Sequence, residues 1–237
     1  MEYRLSTDST MNDARALAAS GASHGAMVLA EEQTAGRGRK GRAFHSPAGE
    51  NIYVTFVLRL DVAGLRAAPL AIPLAVAHAI RATGVYARIK WPNDIWVHGD
   101  RKVSGMLIDS EVDGGGTIVF PGIGINVNGD PTQIPELADI ATSLRLQLGS
   151  PVDRESLLAG LCNEMEALLA QPAKELAPAY RDLSLVLGRQ VTIAEGSNPP
   201  YDALAADIAE DGSLVVELAD GRRLAVTAAE VSVRPAG

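Results

Sequence analysis

The chain of 237 residues is long enough for one catalytic domain of ordinary size and a small appended domain. Its hydrophobic fraction of 47% and charged fraction of 21% are typical of a globular protein with a proper core. The formal net charge of -8 argues against a general nucleic-acid binder, because such proteins are usually basic over a whole face. The single cysteine, Cys162, excludes an internal disulfide, and its place on an apolar helical stripe predicts core packing.

The sequence also bears on location. The N-terminal residues lack the basic-then-apolar pattern of a signal peptide. The longest apolar run, near residues 70–80, is too short to span a bilayer and contains a proline. We therefore expect a soluble, cytoplasmic protein that contacts no membrane.

The first predicted elements are a short strand over residues 3–5, a helix and a second strand over residues 27–30. Asp8, Ser9 and Thr10 precede the helix, which runs to about residue 18, and each has a side chain that can cap it. Capping is therefore the simplest role for these three polar residues.

A glycine-rich basic loop follows the second strand. Its last seven residues, 36–42, contain four cations and three glycines. Glycines allow backbone N–H groups to converge on an anion, and arginines between them add forked donors that suit phosphate or carboxylate. The spacing matches neither standard phosphate-binding loop. By composition alone, a solvated basic loop or a non-specific nucleic-acid patch is equally compatible.

The middle of the chain predicts a strand over residues 52–60 and an alanine-rich helix over residues 65–83. Pro69 is acceptable near the start of this helix, and Pro73 is expected to kink or delay it. Gly84 is expected to end it.

A strand over residues 87–90 leads into Trp91-Pro92-Asn93-Asp94, where proline stiffens the turn and so holds the Asn and Asp side chains. An ordinary Asx turn is the alternative reading. Residues 95–97 and 103–112 are predicted to pair as a hairpin.

Alternation along this hairpin predicts that Lys102 shares a face with Ser104, Met106 and Ile108. A lysine on a largely apolar face needs either an anionic partner or a route by which its ammonium group reaches water. Gly105, on the opposite alternation, is expected to let another backbone approach.

In the next strand, residues 117–128, Gly122 and Gly124 are expected to leave room for a flat ligand. Helices are predicted near residue 141, over 153–170 with Asp153 as the cap, and over 174–183. From residue 188 the pattern changes to short β segments separated by turns, which predicts a small barrel. The four segments are 190–194, 201–208, 213–218 and 223–227.

The order and residue identities of four sequence blocks resemble those of the biotin protein ligases. The blocks are Gln-Thr-Ala-Gly-Arg-Gly-Arg-Lys-Gly-Arg (33–42), Lys-Trp-Pro-Asn-Asp (90–94), Lys-Val-Ser-Gly-Met-Leu (102–107) and Gly-Ile-Gly-Ile-Asn (122–126). The resemblance implies an α+β fold with a mixed β-sheet flanked by helices, as in class II aminoacyl-tRNA synthetases and biotin ligases. It assigns residues 1–186 to the catalytic domain and 187–237 to an SH3-like β-barrel.

The implied reaction has two steps. Biotin carboxylate attacks the α-phosphate of ATP to give biotinyl-5'-AMP, and a lysine of a biotin carboxyl carrier protein domain then takes the biotinyl group. The first step needs no protein nucleophile, only two anions held in line with their repulsion offset. The catalytic residues implied are Lys102, Arg39 and Asp94, with Mg²⁺ carried by the ATP phosphates near Asp94.

The resemblance also implies a ligand set, in which Met11 stands where the family often has asparagine. Residues implied to contact biotin are Ser9, Thr10, Gln33, Gly36, Arg37, Gly38, Arg39, Lys102, Gly105, Gly122 and Gly124. Residues implied to contact ATP are Arg37, Arg39, Lys40, Arg42, Trp91, Asn93, Asp94, Lys102 and Asn126.

The expected partner is the carrier domain. Since the ligand-contacting segment begins at residue 8, we expect no DNA-binding domain before it and no repressor role. The sequence leaves monomer and homodimer open. Two alternative functions remain: a lipoate or octanoate ligase or transferase of the same fold, and a non-catalytic biotin-binding module. The second would not need both Lys102 and the Asn93-Asp94 pair.

Overall fold

The computed structural model describes residues 1–38, 44–98, 100–114, 116–195, 199–227 and 231–235. Its first unit is a seven-stranded sheet in the order β1-β2-β3-β7-β6-β5-β4. β1 and β2 are parallel and the other neighbours are antiparallel, so the predicted mixed sheet is confirmed. The strands are β1 Glu2–Arg4, β2 Ala26–Ala30, β3 Ile52–Leu60, β4 Arg88–Lys90, β5 Asp94–Val97, β6 Arg101–Asp113 and β7 Gly116–Ile125.

Five α-helices are found in the described residues, and most begin at a side-chain cap. They are α1 Thr10–Ala19, α2 Val62–Ala82, α3 Leu144–Leu148, α4 Arg154–Leu169 and α5 Ala173–Leu183. Of the three candidate caps of α1, Ser9 is the one used, since its hydroxyl accepts from the Met11 N–H. Asp153 caps α4 as predicted.

Helix α2 starts three residues before the predicted position. The Asp61 carboxylate accepts a hydrogen bond from the Gly64 N–H at 2.8 Å and so caps the helix earlier than the apolar pattern begins. Pro69 and Pro73 both lie inside the helix, and Gly84 follows its end with a φ of +93°.

By length and composition α2 could cross a bilayer, but 72% of its most apolar stretch is buried inside the fold. It packs against α4, α5 and the sheet, which makes it the central core helix. The large apolar core lies on this face of the sheet, and Cys162 of α4 packs against it as predicted. Burial raises the pKa of the Cys162 thiol.

A smaller core lies on the opposite face. There α1 packs on β2, β3 and β7 through Met11, Ala14 and Ala18. These residues follow i, i+3, i+7 spacing, so they form one stripe of the helix. The remaining area of this face is not covered by α1, and the functional pocket described below lies there.

The C-terminal unit is a five-stranded antiparallel sheet in the order β11-β10-β9-β8-β12. Its strands are β8 Gln190–Glu195, β9 Tyr201–Ile208, β10 Leu214–Glu217, β11 Arg223–Val226 and β12 Val231–Pro235. The four predicted strands are confirmed. β12 was not predicted, because residues 231–235 are not preceded by a Gly, Asn or Pro turn of the kind that marked the other strands.

The two units share one apolar core. Val191, Ile193 and Ala205 of the small sheet belong to the same buried cluster as α2. Polar contacts join them as well: the Trp91 Nε1–H donates to the Gly212 carbonyl at 2.9 Å. Gly212 has a φ of +82°, and a Cβ there would lie 2.7 Å from the Pro69 Cβ of α2.

Gly212→Ala should therefore destabilise the fold more than Gly221→Ala. Gly221 has nearly the same backbone, with a φ of +81°, but a Cβ there meets nothing within 4 Å. Both substitutions carry the left-handed strain of roughly 1–2 kcal/mol. Only Gly212→Ala also forces atoms apart at the junction, which adds roughly 1–3 kcal/mol. Urea unfolding of both variants measures the difference, and equal losses would mean that the turn does not press on Pro69.

Candidate active site

A pocket of about 740 Å³ opens on the face of the sheet opposite α2. This volume is in the range of small-molecule sites. Thirteen of the predicted site residues line it: Ser9, Thr10, Gln33, Arg37, Gly38, Trp91, Asn93, Asp94, Lys102, Gly105, Gly122, Gly124 and Asn126.

The floor of the pocket is bare backbone. Gly105 of β6 is paired with Gly124 of β7, and Gly122 is paired with Leu107 on one side and Thr55 on the other. A Cβ at Gly124 would lie 2.4 Å from the Phe44 ring, so this aromatic ring lies directly on the glycine. The side chains of Phe44 and Met11 thus lie over Gly124 and Gly122, and the expected room for a flat ligand at these glycines stays a prediction.

One end of the pocket is a chain of polar side chains centred on Thr10. Its hydroxyl lies 3.1 Å from Gln33 Oε1 and 2.9 Å from the Thr55 hydroxyl. The Thr10 N–H also donates to Gln33 Oε1 at 3.0 Å, and Gln33 Nε2 donates to the Ser46 hydroxyl at 3.1 Å. Gln33 is thus held at both ends of its amide. The fully buried Thr55 was missed in the sequence, where it reads as an ordinary strand residue.

The basic loop is closed at its base. The Phe44 N–H donates to the Gly36 carbonyl at 2.9 Å, and the Gln33 N–H donates to the Ser46 carbonyl at 3.3 Å. A Cβ at Gly36 would lie 2.7 Å from the Phe44 carbonyl oxygen, so the closure requires glycine. Gly36 therefore shapes the loop from behind the Gln33 side chain.

Two ionisable side chains next to the loop, Asp8 and Tyr53, have shifted pKa values. Asp8 has a lowered pKa, first through a hydrogen bond from the Asn12 amide and then through the Ser9 N–H, with a smaller contribution from the charge of Arg37. Burial raises the pKa of the Tyr53 phenol. The Tyr53 ring packs edge-on against the Phe44 ring, with 6.3 Å between the ring centroids. The remaining predicted loop residues, Arg39, Lys40 and Arg42, lie outside the described residues.

The face predicted for Lys102 is wrong. β5 pairs Ile95 with Ser104 and Trp96 with Lys102, so Val103 is an extra residue and forms a bulge. The bulge turns Lys102 away from Ser104, Met106 and Ile108 and onto the face of Gly105. A Cβ at Gly105 would lie 2.7 Å from Lys102 Nζ, so the space above this glycine is used by a side chain and not by another backbone.

Lys102 is also not short of a partner. Its Nζ lies 2.8 Å from Asp94 Oδ1, and the two side chains are 32% and 35% exposed. An incoming anion therefore meets an ion pair at the pocket wall. The lysine can bind the anion while Asp94 remains within reach of a second cation.

The turn that carries Asn93 and Asp94 is fixed from behind. Trp91 is 2% exposed and its indole N–H is bound to Gly212, so it faces the small domain as well as the pocket. The Tyr180 hydroxyl donates to the Pro92 carbonyl at 3.2 Å. The Asn93 carbonyl accepts from the Met106 N–H at 3.0 Å, which ties the turn to β6.

The predicted nucleotide end contains further residues that the sequence did not single out. Lys90 Nζ lies 3.9 Å from the centre of the Trp96 ring, and both residues line the pocket. Residues 137–141 form the opposite rim, which is joined to β6 because the Lys102 N–H donates to the Ile140 carbonyl at 2.8 Å. Asn126 donates its amide to the Thr142 carbonyl at 3.0 Å.

Within the described residues, no three His, Cys, Asp or Glu side chains cluster as a metal site. Asp94, with the Asn93 amide oxygen beside it in sequence, offers hard oxygen donors of the kind Mg²⁺ prefers. A cation that arrives on nucleotide phosphates needs only one or two such ligands. The residues therefore fit a metal carried by ATP.

Two family models match the chain. Residues 3–128 match the Biotin/lipoate A/B protein ligase family, and residues 186–234 match the Biotin protein ligase C terminal domain.

Two curated relatives are similar over nearly the whole chain. The biotin–[acetyl-CoA-carboxylase] ligase of Paracoccus denitrificans is 37% identical over 95% of this chain and 97% of its own length. That of Mycobacterium tuberculosis is 34% identical over 95% of this chain and 85% of its own length.

A solved structure has the same fold. The biotin protein ligase of Aquifex aeolicus in complex with biotin and ATP is 29% identical, with a TM-score of 0.82 over 99% of this chain and 98% of that one. On the strength of the matched family, the identity to these relatives and the site geometry, the chain belongs to the biotin protein ligases.

Proposed function

We propose that this protein activates biotin with ATP as biotinyl-5'-AMP and transfers the biotinyl group to a lysine of a biotin carboxyl carrier protein domain. The observation that carries this proposal is the continuity of one pocket. A hydrogen-bonding end at Thr10, Gln33 and Thr55 is joined by the glycine floor to Lys102 and Asp94. An acid with a polar, uncharged head suits this arrangement, because its carboxylate reaches Lys102 while its head meets the polar end.

In the first step, a carboxylate oxygen of biotin forms a bond to the α-phosphorus of ATP and pyrophosphate leaves. Lys102 offsets the repulsion between the two anions and binds the charge that gathers at the α-phosphate. Arg37, Arg39, Lys40 and Arg42 are assigned to the same electrostatic task, and Asn126 to the adenine. Mg²⁺, held by the phosphates and Asp94, would neutralise charge on the leaving pyrophosphate.

In the second step, the carrier lysine forms a bond to the biotinyl carbonyl carbon, and AMP leaves with its phosphate. The incoming ammonium must first lose a proton. Asp94 is the carboxylate paired with Lys102, and we assign it the role of taking this proton while Lys102 remains with the departing phosphate. The reaction is assigned to the cytoplasm, where ATP and carrier proteins occur together.

The assay that tests the proposal is pyrophosphate release from MgATP without carrier protein. We expect release with biotin, and little with lipoate or octanoate, whose apolar tails offer no hydrogen-bonding group to the polar end at Thr10, Gln33 and Thr55. Release with lipoate or octanoate but not biotin would favour the related acyl ligases. Tight biotin binding without release would favour a non-catalytic module.

Lys102→Met should abolish most activation while preserving the fold. The substitution keeps the apolar stem, and the exposed share of Asp94 lets water solvate the carboxylate that loses its partner. Biotin-dependent pyrophosphate release at saturating substrates should fall by about 10²–10³-fold. Lys102→Arg should recover only part of it, since a planar fork does not replace a compact charge between two anions.

The matched control is Lys174→Met on the exposed surface of α5. It removes the same charge outside the pocket and should leave release unchanged. Near-wild-type turnover by folded Lys102→Met protein would make Lys102 a structural lysine.

Thr55→Val should weaken biotin binding without slowing the chemical step. Valine keeps the shape of threonine but removes the hydroxyl that holds Thr10 at 2.9 Å. The loss of one neutral hydrogen bond corresponds to roughly a two- to thirteen-fold rise in the biotin KM. Thr55→Ser retains the hydroxyl and should restore the KM. Steady-state kinetics at saturating ATP separate KM from kcat, and an unchanged KM in Thr55→Val would exclude Thr55 from the polar end.

A further inference from the structure

Met11 belongs both to the small apolar core and to the lining of the pocket. Its backbone lies in the first turn of α1, and its side chain, 8% exposed, joins the small core formed with Val28, Val57 and Phe120. The same side chain lines the pocket, immediately after Ser9 and Thr10 in the chain. It is therefore a core residue whose outer surface faces the ligand.

The tip of Met11 lies against the glycine floor. A Cβ at Gly122 would lie 2.9 Å from Met11 Cε and 3.3 Å from the Thr55 hydroxyl oxygen. Gly122 is paired with Leu107, which also lines the pocket. An apolar wall of Met11 and Leu107 thus stands beside the polar group Thr55.

This wall lies at a fixed distance from the charged end. Lys102 lies over Gly105, which is paired with Gly124; Gly122 and Leu107 come two residues further along the same two strands. Two strand residues span roughly 6–7 Å. If the carboxylate of a ligand is held at Lys102, the rest of the ligand extends along the glycine floor toward Met11. The spacing between these two residues then limits the length of the ligand.

We propose that Met11 is the end wall that sets the length of the acid this enzyme activates. The inference rests on the proposed function, because it takes biotin carboxylate to be held at Lys102. The unbranched thioether fills the space over Gly122, where a shorter side chain would leave room for a longer acid. Beyond Met11 and Leu107 the lining continues to Arg15 and Asp109, so shortening Met11 extends the pocket toward an existing rim.

The probe is homobiotin, which has one more methylene than biotin in its acid side chain. With the carboxylate fixed, the extra methylene pushes the bicyclic head toward Met11. A single methylene in a tight apolar pocket changes specificity by 10-fold or more, so the wild-type enzyme should prefer biotin by at least that factor. Met11→Ala should reduce the preference for biotin by about 10-fold. Met11→Leu should give an intermediate value, because the branched leucine side chain reaches one bond less far than methionine.

The readout is the ratio of kcat/KM values for biotin and homobiotin in pyrophosphate release, on protein whose thermal unfolding shows that it is folded. Met165→Ala is the control, since Met165 is a methionine with 3% exposure that packs in the large core and does not line this pocket. It should leave the ratio unchanged. Gly122→Ala should reduce activity with biotin, because its methyl group meets Met11, and adding Met11→Ala should restore part of that activity.

Two outcomes would overturn the inference: a wild-type ratio in folded Met11→Leu or Met11→Ala protein, or an equal change in Met165→Ala, which would indicate general loosening. A wild-type enzyme that does not activate biotin would instead refute the proposed function. The biotin-to-homobiotin ratio of the variants thus tests the role of Met11, and the activity of the wild-type enzyme with biotin tests the proposed function.

Discussion

The site depends on one constraint, which is that β6 and β7 carry glycine at three neighbouring positions on one face, beside Lys102. Gly105 and Gly124 are paired across β6 and β7, and Gly122 continues the bare surface. The other face of the same strands carries Met106, Ile123 and Ile125, which are buried against α2. The sheet is thus anchored by apolar burial on one side while the other side stays flat. The pocket residues proposed to contact the ligand, from Thr10 to Lys102, lie around that area.

Much of this could be predicted from the sequence, because strands and turns have local signals. The β5–β6 hairpin, the Asp153 cap of α4 and four of the five described strands of the small C-terminal sheet follow from periodicity and turn residues. The face of Lys102 could not be predicted, since the bulge at Val103 arises from pairing with β5 and leaves no mark in the local pattern. Thr55 was missed for a related reason: only the fold brings it next to Thr10.

The ion pair between Lys102 and Asp94 changes the electrostatic picture drawn from the sequence. A lysine on an apolar face would carry a high cost until an anion bound. A paired lysine has no such cost, so the free enzyme is stable with the cation already in place. Binding of the proposed carboxylate would exchange one anionic partner of Lys102 for another, so the cation is in place before a ligand enters, as preorganised electrostatic sites require.

The indole of Trp91 has a consequence for how small this enzyme can be made. Its hydrogen-bond acceptor, the Gly212 carbonyl, lies in the C-terminal sheet, while the two residues after the adjacent proline face the pocket. A fragment that ends before β8 would lose this hydrogen bond, would strip the shared core of Val191 and Ile193, and would expose the apolar surface that they cover. The catalytic fold is therefore completed by the small domain. For protein engineering, the minimal unit is therefore the pair of domains, and even the edge strand β11 contributes Val226 to the shared core.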